Sequence, residues 1–159
     1  VIPQRDAIIA ELSAYGGNDL LCYRDNQDDL ASRQQDQWQP WLDDLAENRG
    51  IALQIVTGIM PICQPDAAKF SPLIAAYDDW RLGMLHRATS LSGSLVLGLG
   101  FVDALLDDES MFTLAFLDEL WQNEKWGIDF EAAGRHGFLR SELRDVARFL
   151  SLLDGKAAV

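Results

Sequence analysis

Residues 91–106 read Leu-Ser-Gly-Ser-Leu-Val-Leu-Gly-Leu-Gly-Phe-Val-Asp-Ala-Leu-Leu, the longest apolar stretch of the chain. A bilayer span needs about 20 predominantly apolar residues. This run is shorter and carries Ser92, Ser94 and Asp103, so it is read as a buried helix at the centre of a soluble fold. Ser90, Ser94 and Gly98 recur every fourth residue, and Gly93 and Gly100 are seven apart. On a helix such small residues make a thin face that a neighbouring helix can approach closely. Ser90 or Ser92 is the expected cap, and the helix is expected to end near Asp107.

The flanking segments repeat the helical period. Pro3 opens a first helix with Ile8, Ile9 and Leu12 on one face, stopped at Gly16-Gly17. Residues 19–24, Asp-Leu-Leu-Cys-Tyr-Arg, suit either an extended segment or a helical turn. An acidic helix then runs from Asp25 through Leu30 and Trp38. Pro40 is placed at the start of a separate helix, Trp41 to Asn48, closed by Gly50. Residues 51–57 are the one β-like run, with no evident pairing partner. Four further helices follow: from Asp66 or Pro72 through Leu85; the central run; Asp108 to Trp126-Gly127; and Phe130 to Leu153, with interruptions expected at Gly134 or Gly137. The reading is an all-α orthogonal bundle of six or seven helices with at most one short extended segment, in one domain over 1–159.

Composition bounds the function. The 159 residues are 48% hydrophobic, and 13 Lys plus Arg stand against 25 Asp plus Glu, a net charge of −12. A chain of this length buries roughly 70% of its unfolded surface, enough for a core without staples. Phosphate backbones and anionic membranes would repel it, so neither nucleic acid nor membrane is an expected partner. Cys22 and Cys63 are 41 positions apart and fit no metal or redox motif, so both are read as core residues in a reducing compartment. His86 and His136 are the only histidines and are read as surface or capping residues; no zinc motif and no phosphate-binding glycine loop occurs, so no metal or cofactor is expected.

Charge is unevenly placed. Residues 103–131 hold nine acids against Lys125 alone, a balance of −8. Arg140, Arg144 and Arg148 follow at i, i+4 and i+8 on one face and can neutralise part of this stretch, leaving the remainder free for a basic partner. Trp121 and Trp126 lie inside it. Acids beside indoles suit either a protein interface or a cleft with paired carboxylates.

Ordered words along the chain carry a family resemblance. They are Asp19-Leu20-Leu21-Cys22-Tyr23-Arg24, Trp38-x-Pro40, Gln64-Pro65, Gly93-Ser94-Leu95, and then Leu117-Asp118-Glu119, Gln122, Glu124-x-Trp126-Gly127-x-Asp129 and Glu131. Together they resemble the assembly chaperones of F-type ATP synthase that attend the alpha subunit in mitochondria and alphaproteobacteria. The resemblance spans about Tyr15 to Arg135.

It implies a non-enzymatic role: holding the unassembled alpha subunit soluble until a beta subunit replaces the chaperone. It also implies that the chain is the helical C-terminal portion of a longer protein whose β-rich N-terminal domain is absent. The opening on Val1 fits a processed or excised form. The expected partner-binding residues are Asp118, Glu119, Glu124, Trp126 and Asp129. The expected state is a monomer in the mitochondrial matrix or, preferentially, bacterial cytoplasm. The competing reading is an all-α hydrolase with catalytic carboxylates drawn from Asp118, Glu119 and Glu124 beside Trp126, which requires them to converge in a deep cleft. A purely structural domain is the third.

Overall fold

A computed structural model describes residues 2–128 and 130–155. Its elements are α1 (Arg5–Gly16), β1 (Tyr23–Arg24), α2 (Asp28–Arg49), β2 (Val56–Thr57), α3 (Phe70–Ala75), α4 (Asp79–Ser92), α5 (Leu95–Val102), α6 (Asp108–Ala115), α7 (Leu117–Trp126) and α8 (Phe130–Leu153). The fold is helical, with eight α-helices among the described residues rather than six or seven.

The long apolar run folds as the end of one helix, a turn and a second helix. Gly93 adopts a left-handed φ of 75° and closes α4, and the Ser94 side chain caps α5 by accepting from the Leu97 amide. Ser90 therefore lies on α4 and Gly98 on α5, so they share no single helical face. Close packing arises instead between the two helices: a Cβ at Gly98 would lie 2.6 Å from Thr89 Oγ1. Every residue of α5 is buried. Helices α1, α2, α4, α6 and α8 surround it, so the central-helix expectation holds for residues 95–102.

Other boundaries shift for local reasons. Helix α2 runs unbroken through Pro40, because Leu30, Gln34, Trp38, Leu42 and Leu45 continue one buried stripe across it. Pro40 faces solvent, where the missing amide hydrogen bond costs least. The segment expected as one helix over 108–126 breaks at Phe116 (φ −111°, ψ 24°), which turns inward and stacks on Phe112 at 4.9 Å. Asp107, not Asp108, caps α6 by accepting from the Ser110 amide at 2.7 Å. Helix α8 passes Gly134 and Gly137 without interruption.

The β-like run finds its partner in the ambiguous segment 19–24. Residues 20–22 form a 3₁₀ turn, and Tyr23 and Arg24 then pair in parallel with Val56 and Thr57. Cys22 is buried as expected, but Cys63 is exposed in the loop after β2. Among the described residues, no helix is long and apolar enough to cross a membrane.

Candidate interaction surface around the acidic helix α7

Helix α7 sits over the N-terminal half of α2 and beside the start of α8, held by its buried Leu117 and Trp121 and by a set of polar clasps. Gln34 Nε2 donates to Asp118 at 2.8 Å, and Arg33 Nη1 donates to both Glu124 oxygens at 2.9 Å. Lys125 pairs with Asp29 at 2.7 Å. On the other side Glu119 accepts from Arg135 and lies 2.8 Å from His136 Nε2. His136 is buried, edge-on to Phe112 at 5.2 Å, and is not the surface residue expected.

The carboxylates respond to these settings in opposite directions. Burial raises the Asp118 pKa, opposed by the Gln34 hydrogen bond and nearby Arg24, and reinforced by the charge of Asp25. Burial also works against Glu119, but the hydrogen bonds from Arg135 and His136 outweigh it and hold Glu119 below the usual range. The three carboxylates proposed for an acid–base pair thus point to different neighbours: Asp118 and Glu124 toward α2, Glu119 toward α8.

The rest of the acidic stretch is also engaged. Asp103 accepts from Arg49 and Tyr77, Glu109 pairs with Arg140 at 3.1 Å, and Asp108 faces Arg144 at 3.7 Å. The arginine face of α8 therefore neutralises α6, while α2 supplies most of the cations for α7 and for Asp103. Five of the nine acids, Asp103, Asp108, Glu109, Glu119 and Glu124, thus meet arginines from outside the stretch, a larger share than charge counting implied. Asp129 lies outside the described residues.

Beside the exposed polar residues Gln122, Glu124 and Lys125, the end of α7 and the residues after it form an exposed apolar corner. Trp121 is buried, but Trp126 packs edge-on against it at 5.5 Å and remains 71% exposed. Ile128 and Phe130 continue the exposed corner at 72% and 94%. Beside it a groove of about 470 Å³ runs between α7 and α8, lined by Leu120, Asn123, Glu124, Ile128, Ala133, His136 and Arg140. Of the three candidate carboxylates only Glu124 borders it. Among the described residues, no group of three or more His, Cys, Asp or Glu side chains is arranged to hold a metal ion.

A model of the ATP12 chaperone protein family matches residues 2–46. The solved structure of a mutant of Atp12p from P. denitrificans matches with a TM-score of 0.91 at 35% identity, over 96% of this chain and 66% of that one. Atp12 from Paracoccus denitrificans itself matches at 0.90 and 36%, over 94% and 66%. The chain belongs to the ATP12 chaperone family. It spans 66% of the length of both Paracoccus chains. A structure of the Atu1473 protein from Agrobacterium tumefaciens also matches, at 0.85 and 34% identity, over 93% of this chain and 56% of that one.

Several words that carry the family resemblance prove to be scaffold. Asp19 is fully buried and accepts from the amides of Leu21 and Val96, both at 3.0 Å, and from Ser94 Oγ at 2.8 Å. It thereby ties the 3₁₀ turn to the start of α5. Arg24, 7% exposed, donates to the Leu21 carbonyl and stacks over Trp38 at 5.4 Å. Gln64 both accepts from and donates to the Gln54 backbone, closing the loop around β2. Residue-level reading assigned none of these a task; their only signal was their place in the ordered words.

Proposed function

We propose that this chain binds the unassembled alpha subunit of F-type ATP synthase and keeps it from aggregating before a beta subunit takes its place. The observation that carries this reading is the exposed corner of Trp126, Ile128 and Phe130 on an ATP12-family fold. A lone subunit of a complex exposes surface that is an aggregation hazard in water. A temporary cover needs aromatic anchors within a polar rim, because a wide apolar seal would resist displacement. Trp126 rests on buried Trp121 and so presents its ring with little freedom to lose, while Glu124 supplies the polar edge.

The hydrolase alternative needs two carboxylates facing one enclosed space, and Asp118, Glu119 and Glu124 diverge. The binding reading assigns them unequal work. Glu124 and Trp126 face the partner, Asp118 and Glu119 seat α7, and Asp129 is assigned to the partner by the family resemblance. The cell compartment that follows is the one where the synthase is assembled, the mitochondrial matrix or an alphaproteobacterial cytoplasm.

The test is aggregation of separately expressed alpha subunit with wild type, Glu124→Lys and Trp126→Ala, each first checked for thermal stability. Loss of suppression by both variants with the melting temperature retained is the expected result. Full suppression by both would overturn the assignment of this corner, and failure of the wild type to suppress would overturn the function itself.

A further inference from the structure

The groove between α7 and α8 has a definite wall and a charged neighbour that fix the chemistry of what it can seat. Its apolar side is Leu120, Ile128 and Ala133. Its volume of about 470 Å³ falls within the usual range for a ligand-sized cleft. At one margin stands Glu124, whose carboxylate reaches out of the groove to Arg33 on α2, while Arg140, the cation of the lining, is engaged by Glu109 on α6. Asp29 and Asp36 flank Arg33 at i−4 and i+3 and therefore share its face. Asp36 is exposed and has no ion-pair partner among the described residues. Taken together, Asp29, Arg33, Asp36, Glu124 and Lys125 make an acidic strip in which two cations serve three carboxylates.

Resting on the reading above, we infer that the α7–α8 groove together with the α2 face at Asp29 and Asp36 receives a single cationic, amphipathic segment of the alpha subunit. Its apolar side chains enter between Leu120, Ile128 and Ala133, and a basic side chain beyond them meets Glu124 and Asp36. The choice of a basic segment follows from charge complementarity: the strip is net acidic and the whole chain carries −12. The same balance disfavours an anionic membrane as the occupant of the corner. An apolar segment alone would leave Asp36 without a counterpart, and a basic segment alone would leave the groove unfilled.

Three variants separate the two halves of the site. Ala133→Phe fills the groove from an exposed helical position. Asp29→Asn with Asp36→Asn removes two charges from the strip. Asp6→Asn with Glu47→Gln removes the same net charge from exposed positions on α1 and near the end of α2. Association with purified alpha subunit is followed by surface plasmon resonance across a salt series. The groove variant is expected to raise the dissociation rate about tenfold, where most interface mutations act. The strip variant is expected to slow association severalfold and flatten its salt dependence, and the charge-matched control to do neither.

Equal effects from the strip variant and its control would mean that overall charge steers binding, and would overturn the inference. So would unchanged kinetics for Ala133→Phe and the strip variant with a binding wild type, which leaves the function intact. No binding by the wild type overturns the function and the inference with it. Self-association of the wild type that Ala133→Phe abolishes would reassign the groove to a second copy of this chain and overturn the inference.

Discussion

At Gly98 a single hydrogen atom decides how close two helices can come. A Cβ built there would lie 2.6 Å from Thr89 Oγ1 and 3.2 Å from Leu85 Cδ1, both on α4. Neither neighbour can withdraw easily, since Leu85 and Thr89 are fully buried. Gly98→Leu is therefore expected to lower stability by ~3 kcal/mol or more, at or beyond the upper end for inserting methylenes into a packed core. Gly98→Ala is expected to cost less but with the same sign, overriding the gain in helix propensity. Chemical denaturation midpoints check both; an unchanged midpoint for Gly98→Leu would mean that α4 and α5 are not in contact there. The same scale separates two acids that sequence reading treated alike. Glu119 faces buried His136 and Arg135, whereas the Glu124 side chain is 57% exposed opposite Arg33. Glu119→Lys should cost ~1–3 kcal/mol, because it leaves His136 unpaired and sets a cation against Arg135. Glu124→Lys should cost about 1 kcal/mol or less, the usual worth of an exposed pair. Thermal melts of the two variants distinguish a seating role from a contact role.

At the scale of elements, the turn between α4 and α5 is the junction on which the others depend. Ser94 Oγ accepts from the Leu97 amide and donates to Asp19, so one hydroxyl caps a helix and satisfies a buried carboxylate. Ser94→Ala is expected to cost ~2 kcal/mol, a lost cap plus a carboxylate short of one donor. Hydrogen exchange should accelerate at Leu97 and Val96 before it does elsewhere; uniform protection would refute the shared role. This junction also marks where sequence reading succeeded and failed. The period of the apolar residues revealed the helices, and the Leu95–Val102 run revealed the central one. Boundaries were misplaced where tertiary burial overrode a local signal. The stripe through Trp38 and Leu42 carries α2 past Pro40, and burial of Phe116 breaks a segment that reads as one helix. The two-residue strand pair was half legible, because residues 51–57 looked extended while their partner at Tyr23 and Arg24 depends on contacts remote in sequence. Of the candidate surface, the acidic setting nominates Trp126 and Glu124, and the fold leaves both exposed. Arg33, Gln34 and the groove were not legible, because they are joined to α7 only by folding.

At the scale of the whole molecule, acidity and burial pull stability in opposite directions with pH. Burial raises the Asp19 carboxyl to about 6, partly offset by hydrogen bonds from Val96, Leu21 and Ser94, and burial likewise raises Asp118. For such groups the folded state binds protons more tightly than the unfolded chain. Their protonated form favours the fold most below the unfolded value near 4, and for Asp19 that contribution is lost as pH rises through about 6. Glu119 has the opposite sign: its folded pKa is depressed, so its contribution is present above the unfolded value and lost on further acidification. Asp107, held low by the Ser110 amide, behaves as Glu119 does. Stability is therefore expected to increase on going from pH 7 to about pH 5, by on the order of 1–3 kcal/mol from Asp19, and to fall again below about pH 4. The variant that isolates the buried group is Asp19→Asn. Asparagine cannot accept from both Val96 and Leu21 as the carboxylate does, so the variant should be less stable throughout. Its stability between pH 5 and 7 should nevertheless be nearly flat, because the group that titrates there is gone. Urea melts of the two proteins at half-unit steps read this directly. An equal slope in both would place the pH dependence in the surface charge and remove Asp19 from it.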